Sequence, residues 1–139
     1  MNLRSGFRLT FNKKSTEDLS GKANVTAHEG SEVWGVLYTI SSADKKTLDK
    51  GEGGYRPVKL QVRLEDNSTI EAWVYVARKP DDDPALRPCT WYKRFLVEGA
   101  TEHALPTTYI AILENIDAVQ DADAGRDQRK RALACQAES

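Results

Sequence analysis

Two runs of strict alternation constrain this chain more than anything else in it. In Tyr55–Leu64 the residues Val58, Leu60, Val62 and Leu64 fall on one side of an extended chain. In Thr69–Arg78 the residues Ile70, Ala72, Val74 and Val76 do the same, with Trp73 and Tyr75 on the opposite side. The intervening Glu65-Asp66-Asn67-Ser68 reads as a hairpin turn. Any fold for this chain must therefore contain an antiparallel pair with one face on a core. Phe7–Phe11 adds a third alternating run, and Val33–Ile40 is so continuously apolar that it predicts a strand covered on both faces.

Between these runs the signals change character. Asn12–Lys22 is polar, carries Gly21, and reads as a loop. Ser41 or Ser42 is suited to cap a short helix over Ala43–Leu48. Pro80–Pro88 reads as a loop with Asp81-Asp82-Asp83 as its solvated tip, and Thr90–Glu98 as a helix closed by Gly99. After Leu105-Pro106, the residues Tyr109, Ile112, Leu113 and Ile116 sit at i, i+3, i+4 and i+7, an apolar helical stripe. Strands with short helices inserted and appended make the class α+β. The expected division is one domain over residues 1–120, then a polar tail over 121–139. In that tail Gly125–Ser139 reads as a frayed helix or a disordered segment, and Arg126, Arg129, Lys130 and Arg131 as part of a solvated tail, with a local basic patch as the alternative.

Composition narrows function by exclusion. With 139 residues, a net charge of −1 and 40% apolar residues, the chain has no global pull towards nucleic acid. No apolar run reaches the ~20 residues that cross a bilayer, and the first residues carry no secretory h-region, so a cytoplasmic protein is expected. Cys89 and Cys135 stand far apart and fit neither a disulfide framework nor a zinc spacing. His28 and His103 each stand alone. A proton carrier, if the chain needs one, is therefore expected to be a carboxylate.

One carboxylate has an unusual setting. Glu52 lies in Gly51-Glu52-Gly53-Gly54, between a helix and a strand. Glycine on either side permits unusual φ values and close approach by a ligand. Held in a partly dry pocket, such a carboxyl would titrate above its ordinary value of about 4.3, in the range a general acid/base needs. On local features alone the plain alternative stays open: a tight turn carrying an exposed Glu.

The run Glu32-Val33-Trp34-Gly35-Val36-Leu37-Tyr38, then Leu48-Asp49-Lys50-Gly51-Glu52-Gly53 and Tyr55, resembles the γ-glutamylcyclotransferase family. Tyr92 in Trp91-Tyr92-Lys93, then Gly99-Ala100, and Leu105-Pro106 followed by Tyr109, extend the match in the same order. The likeness covers roughly Gly6 to Ile116 and takes in γ-glutamylamine cyclotransferases and plant avirulence-induced proteins.

The resemblance implies a small mixed β-barrel of about five to seven strands with helices packed around it and a cavity inside. It places the acid/base on Glu52 and the substrate-binding residues on Gly53, Gly54, Tyr55 and Tyr92, with Tyr109 as a further family aromatic. Core packing with a satisfied hydroxyl is the alternative for each tyrosine. Trp34 reads as core, and Gly99, Leu105 and Pro106 as structural. The implied reaction cyclises a γ-glutamyl amino acid or amine to 5-oxoproline, with no metal and no cofactor. The expected partner is that small molecule, with no nucleic acid and no membrane, acting on a monomer or homodimer. Family members also begin with a strand ending in Tyr-Gly-Ser-Asn, whose loop amides receive the substrate's carboxylate. This sequence has no counterpart of it. The two expectations are a start upstream of Met1, or a missing barrel strand that leaves edges exposed. The rival reading is a non-catalytic binding or interaction module on the same fold.

Overall fold

The computed structural model describes residues 2–3, 6–51 and 54–130. Its centre is the hairpin that the alternation predicts. Strand β5 (Tyr55–Arg63) pairs antiparallel with β6 (Thr69–Ala77) without a register break, Val62 opposite Ile70 and Leu60 opposite Ala72. Asn67 closes the turn with φ 66°, a conformation asparagine tolerates. Strands β1 (Asn2–Leu3) and β4 (Val33–Trp34) complete a four-stranded sheet in the order β4-β1-β5-β6.

A second sheet has two strands, β2 (Gly6–Lys14) and β3 (Gly21–His28). The expected loop over Asn12–Lys22 is thus largely strand, with only residues 15–20 between the two. The sheets share a core in which Val33, Val62 and Ala72 pack against Phe7, Leu9, Val25, Leu60 and Val74. They also meet through polar bonds, among them the Ala77 N–H donating to the buried Asn24 Oδ1 at 2.9 Å. Among the described residues the strand pairings form these two open sheets, and a closed barrel is not among them.

The apolar run Val33–Ile40 departs most from expectation. Only Val33 and Trp34 join the sheet, and residues 35–41 have no regular structure. Tyr38 is 67% exposed, and Leu37 and Ile40 are exposed with it. Apolar sequence predicts burial, but a strand also needs a neighbouring ladder, and no described strand pairs with residues 35–40.

Three helices follow the expected order. Helix α1 (Ser42–Gly51) starts where the Asp44 N–H donates to the Ser41 hydroxyl at 3.1 Å. It runs past Leu48 into the glycine run. Helix α2 (Thr90–Glu102) continues through Gly99 instead of closing on it. Helix α3 (Thr107–Glu114) buries Tyr109 and Leu113 with Ala100 of α2, while Ile112 faces outwards at 61% exposure. Of the expected stripe, the i and i+4 positions reach the core and i+3 does not. Residues 124–130 are also helical. Among the described residues, no helix is long and apolar enough to cross a membrane.

Candidate active site

The geometry around the glycine run begins at its two ends. Glu52 and Gly53 lie outside the described residues, so the structure places their neighbours: α1 ends at Gly51 and β5 begins at Tyr55. Arg78, just beyond β6, holds Gly54 and the start of β5. Its N–H donates to the Gly54 carbonyl, and its Nε to the Tyr55 carbonyl, each at 3.0 Å. Lys13 of β2 lies directly against Gly54. A Cβ at position 54 would sit 2.6 Å from Lys13 Nζ and closer still to Cε, so the glycine makes room for the lysine stem.

Tyr55 and Tyr92, 37 positions apart in the chain, meet on one residue. The Tyr55 hydroxyl donates to the Ala23 carbonyl at 2.8 Å, and the Ala23 N–H donates to the Tyr92 oxygen at 3.0 Å. A bulge in β2 frames the meeting point. Thr10 pairs with Asn24 and Lys13 with Lys22, so Phe11 and Asn12 together stand opposite Ala23. Asn24, 4% exposed, bridges outwards from there: its Nδ2 donates to Asn12 Oδ1 at 2.9 Å, and its Oδ1 receives Ala77, the cross-strand partner of Tyr55. One short stretch of β3 therefore fixes Tyr55, Tyr92 and the end of β6.

Sequence reasoning missed β3, and with it Ala23 and Asn24. The signal was present: Lys22, Asn24 and Thr26 alternate with Ala23, Val25 and Ala27. Tyr109 belongs elsewhere. It is 7% exposed in the α2–α3 core, where burial pushes its phenol pKa up against the opposing hydrogen bond with the Trp34 backbone. A groove of about 640 Å³ opens along α1 and β6, lined by Lys45, Leu48, Trp73 and Tyr75 from those elements and by Tyr38 and Ile40 opposite. Lys45 Nζ sits 4.3 Å over the Trp73 ring, and the Tyr75 hydroxyl donates to Asp49 near the end of α1.

A second polar cluster lies under the start of α2. Asp18, Cys89 and Asp121 bring one ligand atom each within 4.8 Å of one another. Both carboxylates already have cationic partners. Asp18 accepts from the Ser20 N–H and hydroxyl and from Lys22 at 3.3 Å. Asp121 takes Arg126 through two bonds of 2.6 and 2.8 Å, and the Trp91 N–H at 3.1 Å. Arg126 holds the Asp121 carboxyl far below the usual carboxylate range. Burial pushes the Cys89 thiol up, away from thiolate chemistry. This donor set is built for internal cations.

The sequence pattern of the AIG2-like family matches residues 32–113, and the chain belongs to that family. Among curated proteins it is similar to "Gamma-glutamylcyclotransferase" of Bos taurus, 30% identical over 101 residues, covering 70% of this chain and 52% of that one. The Homo sapiens protein of the same name is 28% identical over 101 residues, with the same coverage. The chain thus spans about half the length of the curated relatives it matches. A solved structure titled "Gamma-glutamyl cyclotransferase" superposes with a TM-score of 0.84 at 23% identity, covering 97% of this chain and 82% of that one. The α+β architecture is therefore a cyclotransferase fold.

Proposed function

We propose that this chain is an enzyme of the γ-glutamylcyclotransferase type, with Glu52 as general acid/base and Gly53, Gly54, Tyr55 and Tyr92 forming its substrate-binding surface. The observation that supports it best is the convergence of Tyr55 and Tyr92 on Ala23, with Tyr55 three positions after Glu52 in the chain. These two tyrosines, 37 positions apart in the chain, share one place in the fold. The reading also takes the two sheets as parts of one barrel, linked by the Asn24–Ala77 bond.

The chemistry needs little beyond position and one proton carrier. The α-amino nitrogen of the γ-glutamyl group attacks its own γ-carbonyl carbon, forming the ring C–N bond. The bond to the departing nitrogen then breaks, giving 5-oxoproline and a free amine. No water is consumed. Holding the folded conformer for internal attack is worth about 7–11 kcal/mol of barrier. Glu52 takes the proton from the attacking amine and returns one to the leaving nitrogen. Backbone amides at Gly53 and Gly54 are the proposed partners of the developing oxyanion.

The test is incubation with a panel of γ-glutamyl amino acids and amines, assayed for 5-oxoproline, with Glu52→Gln beside the wild type. The expected result is release by the wild type and loss of turnover by at least ~100-fold in the variant. A variant that releases 5-oxoproline at the wild-type rate overturns the assignment. The second reading is a non-catalytic binding module on the same fold. Binding of the panel without 5-oxoproline release by the wild type would select it.

A further inference from the structure

Lys13 breaks two local rules at once. It stands directly opposite Lys22 across the β2–β3 ladder, a like-charge pairing that costs stability. Its side-chain direction is also set by the bulge. In an unbroken register Lys13 would share the face of Phe7, Leu9 and Phe11; the extra residue turns it to the face of Lys22 and Asn24.

The two lysines then diverge. Lys22 lies 3.3 Å from Asp18 and 4.1 Å over the Trp91 ring, so its charge is answered within the fold. The half-buried Lys13 lies against Gly54 with its Nζ 5.9 Å from the Tyr55 ring centroid, and among the described residues no carboxylate pairs with it. The nearby acidic loop does not supply one. The Asp81 N–H donates to the Asn12 carbonyl, but the Asp81 carboxylate accepts from the Asp83 N–H. A half-buried ammonium with three donors, aimed by a bulge at the turn beside Tyr55, is suited to a ligand anion.

We propose that Lys13 is a specificity-determining residue that receives a carboxylate of the ligand at the Gly54–Tyr55 turn. This rests on the γ-glutamyl reading for the identity of the ligand, though not for its charge. Two carboxylates are available on such ligands: the α-carboxylate of the glutamyl group, and the carboxylate of an amino acid serving as leaving group.

The experiment measures equilibrium binding calorimetrically in the Glu52→Gln background, alone and combined with Lys13→Met or Lys13→Arg. The probes are γ-glutamylalanine, γ-glutamylethylamide, and the α-amide of γ-glutamylethylamide, which carries no carboxylate. Lys13→Met is expected to weaken carboxylate-bearing probes by about 10-fold or more, leave the α-amide unchanged, and be largely rescued by Lys13→Arg. Weakening of both carboxylated probes assigns the α-carboxylate; weakening of γ-glutamylalanine alone assigns the leaving-group carboxylate. Equal effects on all three probes, no effect on any, or no binding to the Lys13-bearing protein overturns the proposal. Turnover separates the two claims. If the wild type releases no 5-oxoproline yet binding depends on Lys13, only cyclisation falls. If Glu52→Gln abolishes turnover while Lys13→Met changes no affinity, only the role of Lys13 falls.

Discussion

Trp91 and Tyr92 are adjacent at the start of α2, yet they serve two regions with opposite uses of charge. Trp91, 6% exposed, turns into the cluster where Asp121 joins its indole N–H to Arg126 and where Lys22 and Lys130 flank its ring at 4.1 and 5.0 Å. There cations and carboxylates answer one another inside the protein. Tyr92 shares Lys22, 4.5 Å over its ring, but its hydroxyl meets Tyr55 at Ala23, beside Gly54, against which Lys13 lies with no carboxylate partner among the described residues. A closed set of charges holds a fold together; an open one is available to a ligand. The first region ties residues 121–126 to α2, and the second presents the candidate active site.

The sharpest break of this comparison comes from Asp121→Ala. The Asp121 side chain has no exposed surface and accepts from both Arg126 and the Trp91 N–H, so its removal strands two donors and should cost more stability than any change below. Urea unfolding should show that loss, with any 5-oxoproline release per folded molecule unchanged. The pH dependence follows from the lowered carboxyl pKa: its stabilisation is present above the unfolded value near 3.8 and is lost as pH falls towards the lower folded value. Acid titration of the wild type should therefore show a stability decline below about pH 4 that is shallower in Asp121→Ala, where the lowered carboxyls of Asp18, Asp49 and Asp66 remain.

Asn24→Ala strikes the second region and should cost about 2 kcal/mol, because it leaves the Ala77 N–H without its acceptor in a buried site. Hydrogen exchange at the Ala77 amide should accelerate by more than the global change. Equal acceleration everywhere would mean that Asn24 supports the whole fold and not this junction. Tyr55→Phe removes one hydroxyl bond to Ala23 and should cost about 1 kcal/mol, with a rise in KM larger than the fall in kcat. Unchanged KM and kcat would leave Tyr55 as packing alone. Smallest of all is Glu71→Gln. Its pair with Lys59 spans 3.5 Å with both side chains 53% exposed, and no measurable shift in urea midpoint is expected.

The hairpin and the helix cap were legible because each is a local device. Alternation fixes the faces of β5 and β6, and Ser41 caps the helix it adjoins. What escaped depended on distant partners. Residues 35–40 are as apolar as the hairpin, yet lie outside any strand ladder of the described residues. Gly99 resembled a helix end, but it is not among the glycines with positive φ, and α2 passes through it to Glu102. In β3, small and polar residues hid a regular alternation, so the Ala23 junction became visible only when the fold brought Tyr55 and Tyr92 to it. Glu52, Gly54, Tyr55 and Tyr92 were singled out by resemblance; the roles of Lys13, Ala23 and Asn24 were not.

The division into a closed and an open charge region is tested most directly by measuring 5-oxoproline release and urea midpoint together for Glu52→Gln and Asp121→Ala, with γ-glutamylalanine as substrate. Glu52→Gln is expected to abolish release with an unchanged midpoint, and Asp121→Ala to lower the midpoint and keep the rate per folded molecule. Wild-type release that survives intact in Glu52→Gln would contradict this expectation.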